Sequence, residues 1–144
     1  MDAENVTRLR RVIARLARLL NAAPVSENLT PTQASVLGLV AHRGPVGMTE
    51  LADIEGLNPT MLSRVVAKLV DDGLIVRLPD PADQRAVQLL ATDPGREVHL
   101  RIIDSRTATV AQILDGLSPD VTDALLGALP ALEALAEGLR TKKV

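Results

Sequence analysis

The sequence predicts a mainly α-helical chain carrying one small β-ribbon. Three observations predict it. Residues 51–90 hold a short helix, a turn at Gly56-Leu57, and a second helix capped by Asn58, opened by Pro59 and stopped by Gly73. Two short apolar strands then flank a loop built from Pro79, Asp80, Pro81, Asp83 and Arg85. Helical periodicities with long apolar faces occupy both ends of the chain. Helix, turn, helix and ribbon in this order make a winged helix-turn-helix. That unit offers one helix to the major groove of DNA and one loop to the adjacent minor groove.

Taken in order, the first helix covers about residues 3–22. Val6, Leu9, Ile13, Leu16 and Leu20 recur at three- and four-residue spacing on one face, and Arg8, Arg11, Arg15 and Arg18 line the opposite one. Pro24 and Ser26 read as a linker. Thr30-Pro31-Thr32-Gln33 is a capping box with Pro at the first helical position, and it opens a second helix through Val36, Leu37 and Val40 to Gly44-Pro45. The third helix spans about 48–55 and the fourth about 59–72. On the fourth, Leu62, Val65, Val66 and Leu69 face inward, and Thr60, Ser63, Arg64 and Ala67 face outward. Strands follow at about 74–78 and 86–91. Thr92 caps a long helix over about 93–114. Ser118-Pro119 opens a last helix to about Arg140, which Pro130 is expected to kink by removing a backbone donor and crowding the preceding turn.

Composition narrows the function. The 144 residues include no Cys, Phe, Tyr or Trp. Disulfides, thiol catalysis and cysteine metal sites are excluded, as is single-strand recognition by base stacking on aromatic side chains. The core is aliphatic, and so is any ligand pocket. No apolar run approaches a membrane span and no signal peptide opens the chain, so a soluble cytoplasmic protein is expected. Net charge is −2 overall, with net +3 in residues 1–23 and zero in residues 58–90. A near-neutral reading head predicts few phosphate contacts. His42 and His99 read as isolated, no metal-spaced cluster is present, and no Gly-rich phosphate loop or activated nucleophile is found. No cofactor and no enzymatic activity are expected.

Residues 109–139 carry eleven large aliphatic side chains from Val110 to Leu139. One small domain has too little surface to cover them. Pairing of two copies would cover them, and two-fold symmetry matches paired half-sites in DNA. The expected organisation is a dimerisation helix and linker at 1–28, a winged helix-turn-helix DNA-binding lobe at 29–91, and dimerisation helices at 92–144.

Several strings resemble the MarR family of bacterial transcription regulators. LTPTQASVL (29–37) is similar to that family's second-helix start, and ELA (50–52) to part of its third helix. LNPTMLSRVVAKLVDDGLIVR (57–77) resembles its recognition helix and first wing strand. DPADQR (80–85) carries the family's Asp-x-Arg wing motif as Asp83-Gln84-Arg85, and LATDPG (90–95) resembles its second wing strand end and fifth-helix cap. The resemblance implies a dimeric repressor or activator on a palindromic operator, released by a ligand that changes the spacing of its two reading heads. It also implies small lipophilic or phenolic ligands for many relatives. The recognition helix and wing here are less basic than in many members, and Pro130 interrupts a helix that is normally continuous.

On the fourth helix, Thr60, Ser63 and Arg64 occupy the first turns, where a recognition helix meets base edges; Arg can take guanine bidentately. Lys68 lies a turn later, placed for a phosphate. Met61 reads either as a contact to a thymine methyl or as a core-margin residue. Arg85, at the wing tip, is placed for a narrow minor groove. Asp83 is expected to orient Arg85 or to pair with Arg77 and hold the wing. A small hydrophobic effector in a crevice between the winged lobe and the dimerisation helices is a further expectation. The competing reading is a winged-helix protein-interaction module without DNA binding, which the near-neutral reading head keeps open.

Overall fold

The computed structural model describes residues 1–22 and 27–142. Pro24 and Ser26, read as linker, lie outside the described residues. The chain divides into two units, Met1–Arg106 and Thr107–Val144.

The first unit contains α1 (Ala3–Ala22), α2 (Pro31–Arg43), β1 (Val46–Gly47), α3 (Met48–Glu55), α4 (Pro59–Asp71), β2 (Ile75–Pro79), β3 (Val87–Ala91) and the first turns of α5 (Asp93–Asp115). Local chemistry sets most of these boundaries. Thr30 Oγ1 accepts from the Gln33 amide at 3.1 Å while Gln33 Oε1 accepts from the Thr30 amide at 3.0 Å, which completes the capping box of α2. Asn58 Oδ1 accepts from the Met61 amide at 2.8 Å and starts α4. At the other end of α4 the Gly73 amide donates to Val70 and the Leu74 amide to Leu69, at 3.0 and 2.9 Å. This is a Schellman stop, and it needs the left-handed φ of 75° that Gly73 adopts without a Cβ penalty.

The sheet has three antiparallel strands in the order β1-β3-β2, not the two-stranded ribbon expected. The added strand places Val46 opposite Leu89 and Gly47 opposite Gln88. The wing strands pair from Ile75 with Ala91 to Pro79 with Val87.

Leu37, Leu51, Leu62, Leu69, Ile75, Leu89, Val36, Val40 and Val66 are the largest fully buried side chains, drawn from α2, α3, α4 and the sheet. Burying each contributes about 1.5–3 kcal/mol. The start of α5 is fitted closely onto this core. Thr92 Oγ1 donates to the Gly73 carbonyl at 2.6 Å and accepts from the Gly95 amide at 3.0 Å. A Cβ at position 95 would lie 2.0 Å from the Leu74 carbonyl oxygen, so only glycine permits this approach. Arg101 on α5 holds Glu27 through two bonds of 2.7 and 3.2 Å, anchoring the segment that leads into α2. The α1 helix has no buried residue; Ile13 is half-buried, and Val6, Leu9, Leu16 and Leu20 are exposed.

The second unit holds the end of α5, α6 (Pro119–Gly127) and α7 (Leu129–Thr141). Ser118 caps α6 by accepting from the Val121 amide at 3.4 Å. The single kinked helix expected here is instead two helices meeting at Ala128. Pro130 falls in the first turn of α7, where its missing N–H costs no helical bond. Among the described residues α6 and α7 bury nothing: Val121, Leu125, Leu126, Leu129, Leu132, Leu135 and Leu139 are all exposed, Leu126 by 56%.

Candidate nucleic-acid interface

Two features of the winged lobe project outward: the first turns of α4 and the β2–β3 loop. The Gly56 turn, with φ 66°, sets α4 after α3, and Ser35 Oγ on α2 donates to Glu55 at 2.8 Å across the two helices. Leu62, Val66 and Leu69 anchor the inner face of α4. Its outer face therefore presents Thr60, Ser63, Arg64 and Lys68, all exposed. No hydrogen bond or ion pair engages the Arg64 guanidinium among the described residues.

Lys68 differs. Its Nζ lies 2.9 Å from Asp72, an i,i+4 pair that neutralises the cation expected to meet phosphate. The i,i+4 spacing of Lys68 and Asp72 is visible in the sequence. Of the two readings of Met61, the core margin does not hold: it stands 47% exposed on α4, because the inward stripe is filled by Leu62, Val65, Val66 and Leu69.

Two aspartate turns shape the wing loop. Asp80 Oδ1 accepts from the Ala82 amide at 2.9 Å, and Asp83 Oδ1 accepts from the Arg85 amide at 3.0 Å. The Asp80 amide donates to the Ala86 carbonyl at 3.2 Å and closes the loop. Asp83 thus orients Arg85 through its backbone, leaving the Arg85 side chain exposed. Among the described residues no ion pair joins Asp83 to Arg77, so that alternative is not what holds the wing. Arg77 sits on β2 opposite Leu89, with its side chain exposed. Asp80 contributes to the loop and was not singled out as a wing-structuring residue; its place two residues before Ala82 was the available signal.

A groove of about 400 Å³ lies between α3 and α4, lined by Met48, Ala52, Leu57 and Leu62 with Asp53 and Ser63 among its polar groups. The sequence reading did not anticipate it, since its walls come from two helices and the turn between them. The two histidines are not isolated. His99 on α5 feels the charge of His42 on α2 and of Arg106, and partial burial is the largest cause of its lowered pKa. Among the described residues no group of His, Cys, Asp or Glu is arranged to hold a metal. No described helix is long and apolar enough to cross a membrane.

Comparisons with known proteins agree with this architecture. The MarR family model matches residues 29–87, from the Thr30 cap of α2 through the wing loop to the first residue of β3. The uncharacterised HTH-type transcriptional regulator YkoM of Bacillus subtilis (strain 168) is 30% identical over 129 residues, covering 87% of this chain and 84% of that protein. The crystal structure of RV1404 from Mycobacterium tuberculosis is 28% identical, with a TM-score of 0.76 over 95% of each chain. The transcriptional regulator Tm0710 from Thermotoga maritima is 27% identical, with a TM-score of 0.74 over 96% of this chain and 98% of that one. A winged helix-turn-helix with an outward-facing α4 and wing, matched along nearly its whole length, places this chain in the MarR family of helix-turn-helix transcription regulators.

Proposed function

We propose that the chain acts as a homodimeric repressor that binds a pseudo-palindromic operator in double-stranded DNA, in the cytoplasm and without enzymatic activity. One observation carries the reading head: α4 and the wing tip each present an exposed arginine, Arg64 and Arg85, that no acidic group of the lobe neutralises. Thr60, Ser63 and Arg64 read base edges in the major groove. Arg85 enters the minor groove, held in place by the Asp83 turn. Lys68 exchanges Asp72 for a phosphate. Arg77, on the first wing strand, belongs with Asp83 to the structure that carries Arg85.

Residues 29–91 form the DNA-binding lobe, and residues 1–28 and 92–144 supply dimerisation. The exposed aliphatic rows of α1, α6 and α7 support pairing of two copies, which also supplies the two-fold axis a palindromic site requires. A small hydrophobic effector fits the aliphatic groove beside α4. Seated there it would lie against Ser63 and compete with base readout.

The test is a titration of labelled duplex from upstream of the protein's own gene, and of unrelated duplex, at two salt concentrations. Selective binding that weakens with salt is expected. Arg85→Ala should reduce affinity by about 1–3 kcal/mol with an unchanged melting temperature. Binding of neither duplex, together with capture of a protein partner by the same face, would favour the interaction-module reading, which the Lys68–Asp72 pair and the neutral reading head support. Aliphatic compounds that leave DNA binding unchanged would remove the effector from the account.

A further inference from the structure

The outward side of α4 carries one group that the base-reading set of Thr60, Ser63 and Arg64 does not use. Met61 stands 47% exposed in the first turn of the helix. Its amide donates to Asn58 Oδ1 at 2.8 Å, so the N-cap fixes the backbone from which this side chain projects. Arg64 and Lys68 follow three and seven residues later, so the three side chains share one side of the helix, and all are exposed. A single exposed apolar residue is ordinary on a protein surface. Met61 differs in its place: it sits in the turn that meets base edges, in a row whose other members are cations. Residues 58–90 carry no net charge, which leaves more of the recognition to contacts at base edges.

We propose that Met61 is a specificity-determining residue that packs its thioether against the C5-methyl of a thymine in the major groove; this rests on the operator-binding reading above. Among the groups that base pairs present in the major groove, that methyl alone is apolar. Hydroxyl and guanidinium groups beside Met61 suit the hydrogen-bonding atoms of the bases, whereas an unbranched, polarisable thioether adapts its shape to an apolar partner. Burying both apolar groups on binding removes them from water together. Spacing sets the place of the thymine. Three residues advance the helix by about 4.5 Å, and successive bases along a strand are about 3.4 Å apart. The thymine therefore lies within about two base pairs of the base that Arg64 reads. Each half-site then contains a thymine that is recognised by its methyl and not by its hydrogen-bonding atoms.

The experiment is competition binding of the full-length chain to duplex from upstream of its own gene, with deoxyuridine replacing each thymidine of one half-site in turn. This exchange removes the methyl and keeps every hydrogen-bonding group of the base. At one position, close to the one whose preference Arg64→Ala relaxes, it should weaken binding by roughly three- to tenfold, the effect of burying one methyl. Met61→Ala should bind the thymine duplex more weakly by a similar factor and no longer distinguish it from the uracil duplex. Met61→Leu keeps an apolar side chain there and should retain the discrimination. Selective binding that no uracil exchange weakens overturns the proposal and leaves the operator reading intact. So does a uracil loss that is equal in wild type and Met61→Ala, as when Thr60 supplies the methyl contact. Failure of the wild-type chain to select any duplex overturns the operator reading itself, and the proposal with it.

Discussion

The winged lobe and the α6–α7 segment are built from the same aliphatic alphabet, with opposite results. In the lobe, leucines and valines from α2, α3, α4 and the sheet converge until Leu37, Leu51 and Leu89 are fully hidden. In α6 and α7 a comparable density of leucine leaves every one of them exposed. The difference is topological. The lobe has a three-stranded sheet to roof its helices, and α6 and α7 are helices alone. Exposed apolar rows of this length are a surface awaiting cover. The comparison teaches that the lobe completes itself, whereas α6 and α7 leave an apolar surface that pairing of two copies would cover.

That contrast can be broken from either side. The largest effect is expected for Leu51→Ala, which removes fully buried volume from the lobe and should cost about 2–5 kcal/mol in denaturant unfolding. Next comes Leu126→Asp, at a position 56% exposed in the single chain. It should leave helix content intact but weaken the dimer by on the order of 2 kcal/mol or more, measured by sedimentation, because pairing would bury an unpartnered carboxylate. A variant that melts like wild type and still dimerises would show that this row is not the interface.

Smaller effects sharpen the functional side of the lobe. Arg64→Ala should cost about 1–3 kcal/mol of operator affinity and relax base preference at one position of each half-site, seen by competition with single-base variants. Equal losses on all sequences would reassign Arg64 to phosphate.

The smallest effect is a pH dependence. The folded state lowers the pKa of His99, so the unfolded chain binds the extra proton more readily. Stability contributed by neutral His99 is complete above the ordinary histidine value near 6.5 and declines as pH falls below it. Melting at pH 7.5 and 5.5 should show a decline that is reduced in His99→Asn; identical declines would exclude this residue as the cause.

Much of the lobe was legible because its punctuation is local. The Thr30 capping box, the Asn58-Pro59 start and the Gly73 stop each act within a few residues and need no tertiary knowledge. The Asp83 turn was half legible: its link to Arg85 was visible, but the alternative pairing with Arg77 could be settled only with the strand register in place. What escaped depends on distant partners. The β1 strand is two residues long and exists because Val46 meets Leu89, more than forty positions away. Pro130 was recognised as a disruption. Whether it kinks or divides a helix depends on the Ala128 junction, where the chain starts α7 afresh. His42 and His99 looked solitary because only the α2–α5 packing, permitted by Gly38, brings their charges together.

The most direct test of the central claim is sedimentation equilibrium of the full-length chain without DNA, followed by peptide absorbance because the chain lacks Tyr and Trp. At low micromolar concentration the account predicts a single species of twice the 15.3 kDa chain mass. A stable 15.3 kDa monomer with its full helix content would mean that the exposed rows of α1, α6 and α7 need no second copy, contradicting the account.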